Sequence, residues 1–112
     1  MAARGVLRTA AGGYLFFFCP GCREAHMVGP TWGFNGDFDR PTFTPSVLVR
    51  GYKVVKDENG RWVGDWQRDA AGNLIPETCH SLIGDGQIKF LGDCTHSLAG
   101  KTVPLKPFDH GE

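Results

Sequence analysis

Glycine and proline interrupt this chain so often that they decide what it can fold into. Its 112 residues include 16 Gly and 7 Pro, and the longest stretch without either covers residues 52–59. A helix in a globular protein typically runs about 8 to 20 residues, and a membrane-spanning helix needs about 20 apolar residues. The spacing therefore excludes helical bundles, doubly wound α/β sheets and a membrane span. It predicts a small, mostly β domain of hairpins with little helix.

Length and composition predict one folded domain. A chain of 112 residues has the usual size of a single domain. Its residues are 41% hydrophobic and include 8 Phe, 3 Trp and 2 Tyr, which supplies a core and argues against disorder. The first residues are mostly small or polar. We expect a flexible N-terminal arm over 1–12, a single metal-binding β domain over 13–106 and a tail over 107–112.

Charge and cysteine content narrow the partners and the compartment. The 12 Lys and Arg balance 12 Asp and Glu, so the chain lacks the basic surface that nucleic-acid binding requires. The apolar run at 14–18 is too short for the core of a secretory signal. We therefore expect a cytoplasmic setting with no nucleic-acid or membrane partner. In a reducing compartment, four cysteines indicate metal binding or reactive thiols rather than disulfides.

Turn dipeptides divide the domain into hairpins. Pro-Gly within the Cys-Pro-Gly-Cys segment at 19–22 predicts a tight turn between the first two strands. Residues 31–46 combine aromatic residues with Asn-Gly and two prolines, which predicts a long ordered loop whose rings cover the core. The expected strands are 13–18, 47–56, 61–66, 79–83, 87–91 and 102–105, and residues 25–28 are expected to form a short return strand or a helical turn.

The hairpin formed by 79–83 and 87–91 carries several candidate ligands. If residues 84–86 form a three-residue loop, Cys79 lies roughly opposite Leu91. Alternation then places Cys79 and His80 on opposite faces, so both can reach one metal only if a bulge re-aims one of them. The expected faces are His80, Leu82, Ile88 and Phe90 on one side, and Cys79, Ser81, Gln87 and Lys89 on the other.

The sharpest motif is Cys19-x-x-Cys22, because a tight turn of this spacing points two thiolates at one zinc ion about 2.3 Å from each sulfur. Two further clusters follow, Cys79-His80 and the Asp-Cys-Thr-His segment at 93–96. One such turn plus ligands from a distant hairpin is how a zinc ribbon closes a four-ligand site. The sequence therefore predicts a zinc-ribbon-like Zn²⁺ site that ties the first turn to the second hairpin.

The identity of the fourth ligand stays open. Cys79 is the most secure third ligand, and His80, His96 and Cys94 compete for the fourth place. His26 has the spacing of a zinc knuckle, but no further cysteine follows nearby, so it is less favoured.

Other interpretations of the same residues are weaker. Free cysteines are often simply buried, and a histidine on an apolar face is often a core residue. A dithiol redox motif normally places its reactive cysteine at a helix N-terminus, for which the segment after Cys22 leaves little room. His110 lies in the tail and is expected to be solvated.

Several blocks together resemble a known family. They are residues 18–22 with His26, the Pro-Thr-Phe-Thr-Pro-Ser segment at 41–46, Cys-His-Ser at 79–81, and residues 86–102. The chain is similar over roughly residues 14–106 to small phage and prophage proteins of unknown function, which are sometimes mislabelled ammonia monooxygenase. Its distant relatives resemble the predicted metal-binding component of bacterial ubiquitin-like conjugation operons.

This resemblance implies a metal set of Cys19, Cys22, Cys79 and His80. The distant group separates its last Cys and His, whereas here they adjoin. The position of Cys94 resembles one where relatives carry Ser, which implies that Cys94 is not an essential ligand. The resemblance further implies a protein partner, phage-encoded in a phage setting, and a location in the host cytoplasm or with the virion.

Three functions are compatible with these residues. A structural zinc-binding protein is favoured over an enzyme, because a small β domain with many breakers gains folding free energy from a metal. The alternative is a zinc- or Cys/His-dependent hydrolase, peptidase-like, with catalytic candidates His80, Asp93, Cys94 and His96. A second alternative is a phage interaction module whose aromatic loop, residues 32–43, contacts a protein partner.

Overall fold

The computed structural model describes residues 2–108, which form eleven strands and one 3₁₀ turn at Ala11–Gly13. The mostly β class predicted from the Gly and Pro spacing is confirmed. In residues 2–108, no helix is long and apolar enough to cross a membrane. The strands are β1 Ala2–Arg4, β2 Leu7–Ala10, β3 Tyr14–Cys19, β4 Glu24–Val28, β5 Gly33–Phe34, β6 Phe43–Tyr52, β7 Val54–Lys56, β8 Trp62–Trp66, β9 Pro76–Gly84, β10 Gln87–Phe90 and β11 Thr102–Pro104.

Two antiparallel sheets enclose the core. One has the strand order β1-β2-β3-β4 and the other β11-β10-β9-β6-β5, while β7 and β8 form a separate two-stranded ribbon. Their buried faces share one apolar cluster; for example, Phe17 of β3 and Phe43 of β6 have ring centroids 6.5 Å apart. The Cys19–Cys22 turn follows β3 in the first sheet, and Cys79 lies in β9 of the second. Packing of the two sheets therefore brings the sequence-distant cysteines together.

The N-terminal segment differs from the flexible arm expected over 1–12. β2 pairs in register with β3, and Leu7 is fully buried in the core. The Val6 N–H donates to the Phe38 carbonyl at 2.9 Å. Only two adjacent apolar residues, Val6 and Leu7, anchor this segment, and they lie in an otherwise small and polar stretch. The composition of residues 1–12 therefore does not indicate a strand.

The start of the predicted tail also packs on the domain. Phe108 contacts Phe18 edge to face, with ring centroids 6.0 Å apart, and the Arg8 guanidinium carbon lies 4.3 Å from the Phe108 ring centroid. A cation over an aromatic face is attracted by the ring quadrupole. The segment therefore belongs to the packed structure as far as residue 108. His110, predicted to be solvated, lies outside the described residues.

The aromatic segment before β6 packs on the core as predicted. Phe34 stacks on Phe43, with ring centroids 5.2 Å apart, and contacts Phe38 edge to face at 5.3 Å. The segment is less irregular than expected, because β5 forms within it and β6 begins at Phe43. These rings extend the core rather than stand out from it.

The β9–β10 hairpin corrects the predicted register by one residue. Gly84 pairs with Gln87 and Ile83 with Ile88, so the turn consists of two residues, Asp85 and Gly86. Asp85 has φ 50° and Gly86 φ 76°, the left-handed pair that a type I′ turn requires.

A slip of one residue exchanges the faces of one strand relative to its partner. Ile88 and Phe90 consequently share the buried face with Cys79, Ser81 and Ile83, whereas we expected them beside His80. The predicted opposition of Cys79 to Leu91 is also wrong, since the Leu91 N–H bonds the His80 carbonyl at 2.9 Å. The placement of Cys79 and His80 on opposite faces of β9 holds.

Candidate functional site

His80 stands between a hydroxyl and a carboxylate on the outward face of the five-stranded sheet. Its Nε2 lies 3.0 Å from the Ser46 Oγ, and its Nδ1 lies 3.1 Å from Asp93 Oδ2. Both distances are hydrogen bonds. Ser46, His80 and Asp93 therefore form one continuous chain of nucleophile, base and orienting carboxylate, the arrangement of a serine protease triad.

Three separate elements position this chain. Ser46 lies in β6 just before Val47, inside a register irregularity between Phe43 and Val47. Because Val47 faces the core, its neighbours Ser46 and Leu48 face outward. Leu48 pairs with His80 across the ladder, which places the histidine beside the serine. Asp93 comes from the loop that follows β10.

Cys94 holds the backbone of His80. The His80 N–H donates to Cys94 Sγ at 3.2 Å, and Cys94 Sγ donates to the His80 carbonyl at the same distance. The buried Cys94 is adjacent to Asp93, so one loop contacts both the backbone and the ring of the histidine. This double attachment fixes the imidazole relative to the carboxylate.

The triad is accessible to solvent. The His80 side chain is 26% exposed and that of Asp93 is 52% exposed. The Nδ1–H of His80 can donate to Asp93, which leaves Nε2 as an acceptor for the Ser46 hydroxyl proton. The geometry thus suits activation of Ser46 as a nucleophile by general-base catalysis.

The inward side of the same strand carries a cluster of thiols. Sulfurs of Cys19, Cys22 and Cys79 and one ring nitrogen of His26 all lie within 4.8 Å of one another. The Sγ atoms of Cys19 and Cys79 are 3.7 Å apart, too far for a disulfide. Two sulfurs about 2.3 Å from a tetrahedral zinc would lie about 3.8 Å apart. The described geometry therefore fits a four-coordinate metal site.

The turn itself is shaped to present sulfur. The Cys22 N–H donates to Cys19 Sγ at 3.4 Å, and the Arg23 N–H donates to the Cys19 carbonyl at 2.8 Å. Arg23 has φ 57°, so the chain reverses tightly after the second cysteine. The two thiols of the Cys-x-x-Cys motif consequently face one point.

The three thiols do not ionise independently. Hydrogen bonds from Cys22 and then Cys79 hold the pKa of the Cys19 thiol far below its ordinary value. The bond to Cys19 raises the pKa of Cys22 to about 12, and bonds to Cys19 and Cys22 raise the pKa of Cys79 well above its usual range. By itself the cluster favours one thiolate beside two thiols, and a divalent cation would let all three ionise.

Two imidazoles approach the thiols, and their hydrogen bonds distinguish them. His26 is 4% exposed, and its Nε2 is buried without a hydrogen-bond partner among the described residues. His96 Nε2 lies 3.5 Å from Cys79 Sγ, while its Nδ1 accepts the Leu98 N–H at 3.2 Å. Neutral His96 therefore carries its proton on Nε2 and donates to Cys79. The donor set that fits best is three cysteines with His26.

Not all predicted site residues meet. Cys19, Cys22 and Cys79 come together, but His80 does not join them, because its side chain leaves the opposite face of β9. Cys94 and His96 form a second group with Cys79 in which the three ligand atoms also lie within 4.8 Å of one another. Of the catalytic candidates, His80 and Asp93 meet in the triad, whereas Cys94 and His96 lie outside it.

Ser46 was not among the predicted catalytic residues. It stands 34 positions before His80, and Asp93 stands 13 positions after it, so no local motif links the three. The sequence signal that could have pointed to Ser46 is the Pro-Ser pair that ends the segment 41–46. Only the pairing of β6 with β9 shows that this serine reaches the histidine.

Comparison with known proteins finds a match to a protein family. The model of one family, BubE, bacterial ubiquitination-like system serine protease, matches residues 2–91. No curated protein and no solved structure matches the chain. The family match supports the predicted link to ubiquitin-like conjugation operons, while the phage setting stays a prediction. The matched range includes Ser46, His80 and all four residues of the Cys₃His cluster, and it ends two positions before Asp93.

Proposed function

This chain belongs to the BubE family of bacterial ubiquitination-like system serine proteases, and on that premise we propose that it is a serine peptidase with Ser46 as its nucleophile. The observation that carries the proposal is the hydrogen-bonded chain from Ser46 through His80 to Asp93. Its substrate is a polypeptide, which makes the protein partner expected from the sequence a substrate.

The proposed reaction follows from the positions of the three side chains. His80 Nε2 removes the hydroxyl proton as Ser46 Oγ attacks the carbonyl carbon of the scissile bond. The same proton then passes from Nε2 to the leaving amine, and the acyl group stays on Ser46 until water hydrolyses the ester. Asp93 holds His80 in the tautomer with Nδ1 protonated and stabilises the imidazolium.

Active-site labelling tests this proposal. A biotinylated fluorophosphonate, which phosphonylates activated serines, is expected to add one group to Ser46, located by peptide mass spectrometry. His80→Ala should abolish the labelling, since the hydroxyl then lacks its base. The matched control is Ser97→Ala, which removes an exposed serine and should leave labelling unchanged. Labelling that persists in Ser46→Ala at the same rate would refute the assignment.

We propose a second, structural component, a zinc ion held by Cys19, Cys22, Cys79 and His26. Four protein ligands leave no position for a water, which is typical of structural rather than catalytic zinc. The role expected from the sequence, a metal tie between the first turn and the β9 hairpin, is thereby kept, with His26 in the place assigned to His80. Bound zinc would stabilise the packing of the two sheets directly.

Metal analysis of the purified protein tests the zinc component. We expect one zinc per chain by atomic emission, with an X-ray absorption signature of three sulfurs and one nitrogen. A signature that includes a water oxygen would instead favour the alternative of a catalytic zinc. Retention of the melting temperature after complete removal of the metal by a chelator would exclude a structural role.

A further inference from the structure

The strand that carries Ser46 has an open edge. β6 pairs with β9 along one side, but on its other side β5 pairs only with Phe43 and Thr44. Among residues 2–108, no strand adjoins that side of β6 from Ser46 onward. An edge of this kind presents unpaired N–H and C=O groups that can accept another strand.

The hydrogen bonds of β9 show in which direction the backbone N–H and C=O groups of His80 and Thr78 point. The His80 carbonyl accepts the Leu91 N–H at 2.9 Å, and its N–H bonds Cys94 Sγ. The Thr78 carbonyl accepts the Thr95 N–H at 2.9 Å, and its N–H donates to Thr95 Oγ1 at 3.0 Å. Both residues of β9 thus direct their backbone groups away from β6.

The residues of β6 that pair with His80 and Thr78 must direct their own backbone N–H and C=O groups away from β9. Leu48 pairs with His80 and Arg50 with Thr78, so both pairs are of the non-hydrogen-bonded type. In an antiparallel ladder, the N–H and C=O of Leu48 and Arg50 then point to the open edge. Two residues apart, they form the alternate docking points that an added strand uses.

The outward side chains beside the triad are apolar. Leu48 is 45% exposed and Leu82 is 43% exposed. Leu48 stands opposite His80 and two positions after Ser46, while Leu82 stands two positions after His80. Exposed leucines on both sides of a catalytic histidine offer an apolar surface to a substrate side chain.

We propose that the substrate binds as an additional strand along the open edge of β6, an extended polypeptide segment whose backbone pairs with Leu48 and Arg50 and whose scissile carbonyl reaches Ser46. This inference rests on the proposed peptidase function. It assigns recognition chiefly to the substrate backbone, with an apolar side chain placed against Leu48. An extended segment whose own backbone groups are unpaired, such as an unstructured tail, can pair with this edge directly.

A pair of reagents separates recognition from chemistry. A biotinylated fluorophosphonate has no peptide backbone, whereas biotin-tetra-alanine diphenyl phosphonate carries one to the same serine. We would methylate each amide nitrogen of the peptide in turn and measure the rate at which Ser46 is modified. Methylation at alternate amides should slow the reaction about tenfold, the effect of one lost hydrogen bond. The intervening amides, which point away from β6, should tolerate it.

Variants of Leu48 test the same edge from the enzyme side. Leu48→Pro removes the N–H that points to the edge, and proline is tolerated at sheet edges where that N–H faces solvent. Leu48→Ala is the matched control, because it shortens the side chain and keeps the N–H. Leu48→Pro should slow the peptide reagent about tenfold relative to Leu48→Ala, again the effect of one hydrogen bond. The fluorophosphonate rate normalises this comparison, so the expected tenfold loss is in the ratio of the peptide-reagent rate to the fluorophosphonate rate.

The outcomes distinguish the two proposals. If neither reagent modifies Ser46, the peptidase assignment fails, and strand addition fails with it. If both reagents modify Ser46 but methylation has the same effect at every amide, strand addition is refuted and the peptidase assignment stands. Should Leu48→Pro fail to fold by circular dichroism, the methylation series on the unaltered protein decides the matter alone.

Discussion

The two faces of β9 hold different kinds of site. Cys79 points inward to thiols buried between the sheets, and the next residue, His80, points outward to a serine and a half-exposed carboxylate. The inner cluster is set by packing of one sheet on the other, whereas the outer triad is set by pairing within one sheet and by one loop. One strand therefore joins a Cys₃His cluster that could hold a metal ion with a triad whose geometry suits chemistry. Perturbing one face at a time should separate the two roles.

The largest effect is expected at Cys79, because its strand, β9, also carries His80 of the outer triad. Cys79→Ala removes the ligand that links the Cys19–Cys22 turn to the second sheet. Structural zinc contributes about 10 kcal/mol or more in small domains, so we expect loss of zinc, loss of cooperative unfolding and loss of activity together. Circular dichroism melting and zinc content measure this.

The matched control for that change is Ser81→Ala, two positions along the same buried face of β9. Ser81 is 1% exposed and its Oγ has no hydrogen-bond partner among the described residues. Ser81→Ala should leave zinc content and activity close to those of the unaltered protein. Retained zinc in Cys79→Ala would contradict the assignment of Cys79 as a ligand.

The next effect should be confined to the outer face. Asp93→Asn keeps the shape of the side chain but no longer holds His80 in the tautomer that accepts the serine proton. The corresponding change in a serine protease lowers kcat by about 10⁴-fold. We expect a loss of this order in peptide hydrolysis, with an unchanged melting temperature and zinc content. A large fall in stability would instead make Asp93 a structural residue.

A smaller effect should distinguish the two imidazoles of the inner face. His26→Ala should weaken zinc binding by more than about 100-fold, which exceeds the usual effect of groups that only support a ligand. His96→Ala should weaken it by about tenfold or less, since His96 only donates to Cys79. Competition with a chromogenic zinc chelator measures both affinities. The reverse order would move the fourth ligand to His96.

Sequence reasoning reached the inner face more completely than the outer one. The Cys-x-x-Cys spacing indicates by itself a turn that could bind a metal, and Cys79 is a further thiol with few alternatives in the sequence. The triad has no such local signal, because Ser46 and His80 meet only through the register of β6 against β9. The sequence indicates His80 and Asp93 as candidates for catalysis, and it also places His80 in the metal set, although the His80 side chain leaves the face of β9 opposite to Cys79.

Two errors in the predicted fold have different physical origins. The predicted three-residue loop Gly84-Asp85-Gly86 is wrong, because the Asp-Gly pair alone forms the two-residue type I′ turn. The predicted arm over 1–12 differs from the structure, because Val6 and Leu7 suffice to dock β2 on the core. The turn is therefore set by a local signal, whereas docking of the N-terminal strand depends on tertiary packing, which is absent from local composition.

The smallest predicted effect lies between the two faces, at Cys94. Its sulfur makes both bonds to the His80 backbone and also lies near Cys79 and His96. Cys94→Ser keeps a donor and an acceptor at this position and should change kcat by less than about threefold. Cys94→Ala leaves the part-buried His80 N–H unpaired, at a cost of up to about 1–3 kcal/mol. We therefore expect a lower melting temperature and a reduced kcat at unchanged zinc content, and rescue of both by serine. Zinc loss in Cys94→Ala with no change in kcat would assign Cys94 to the inner face instead.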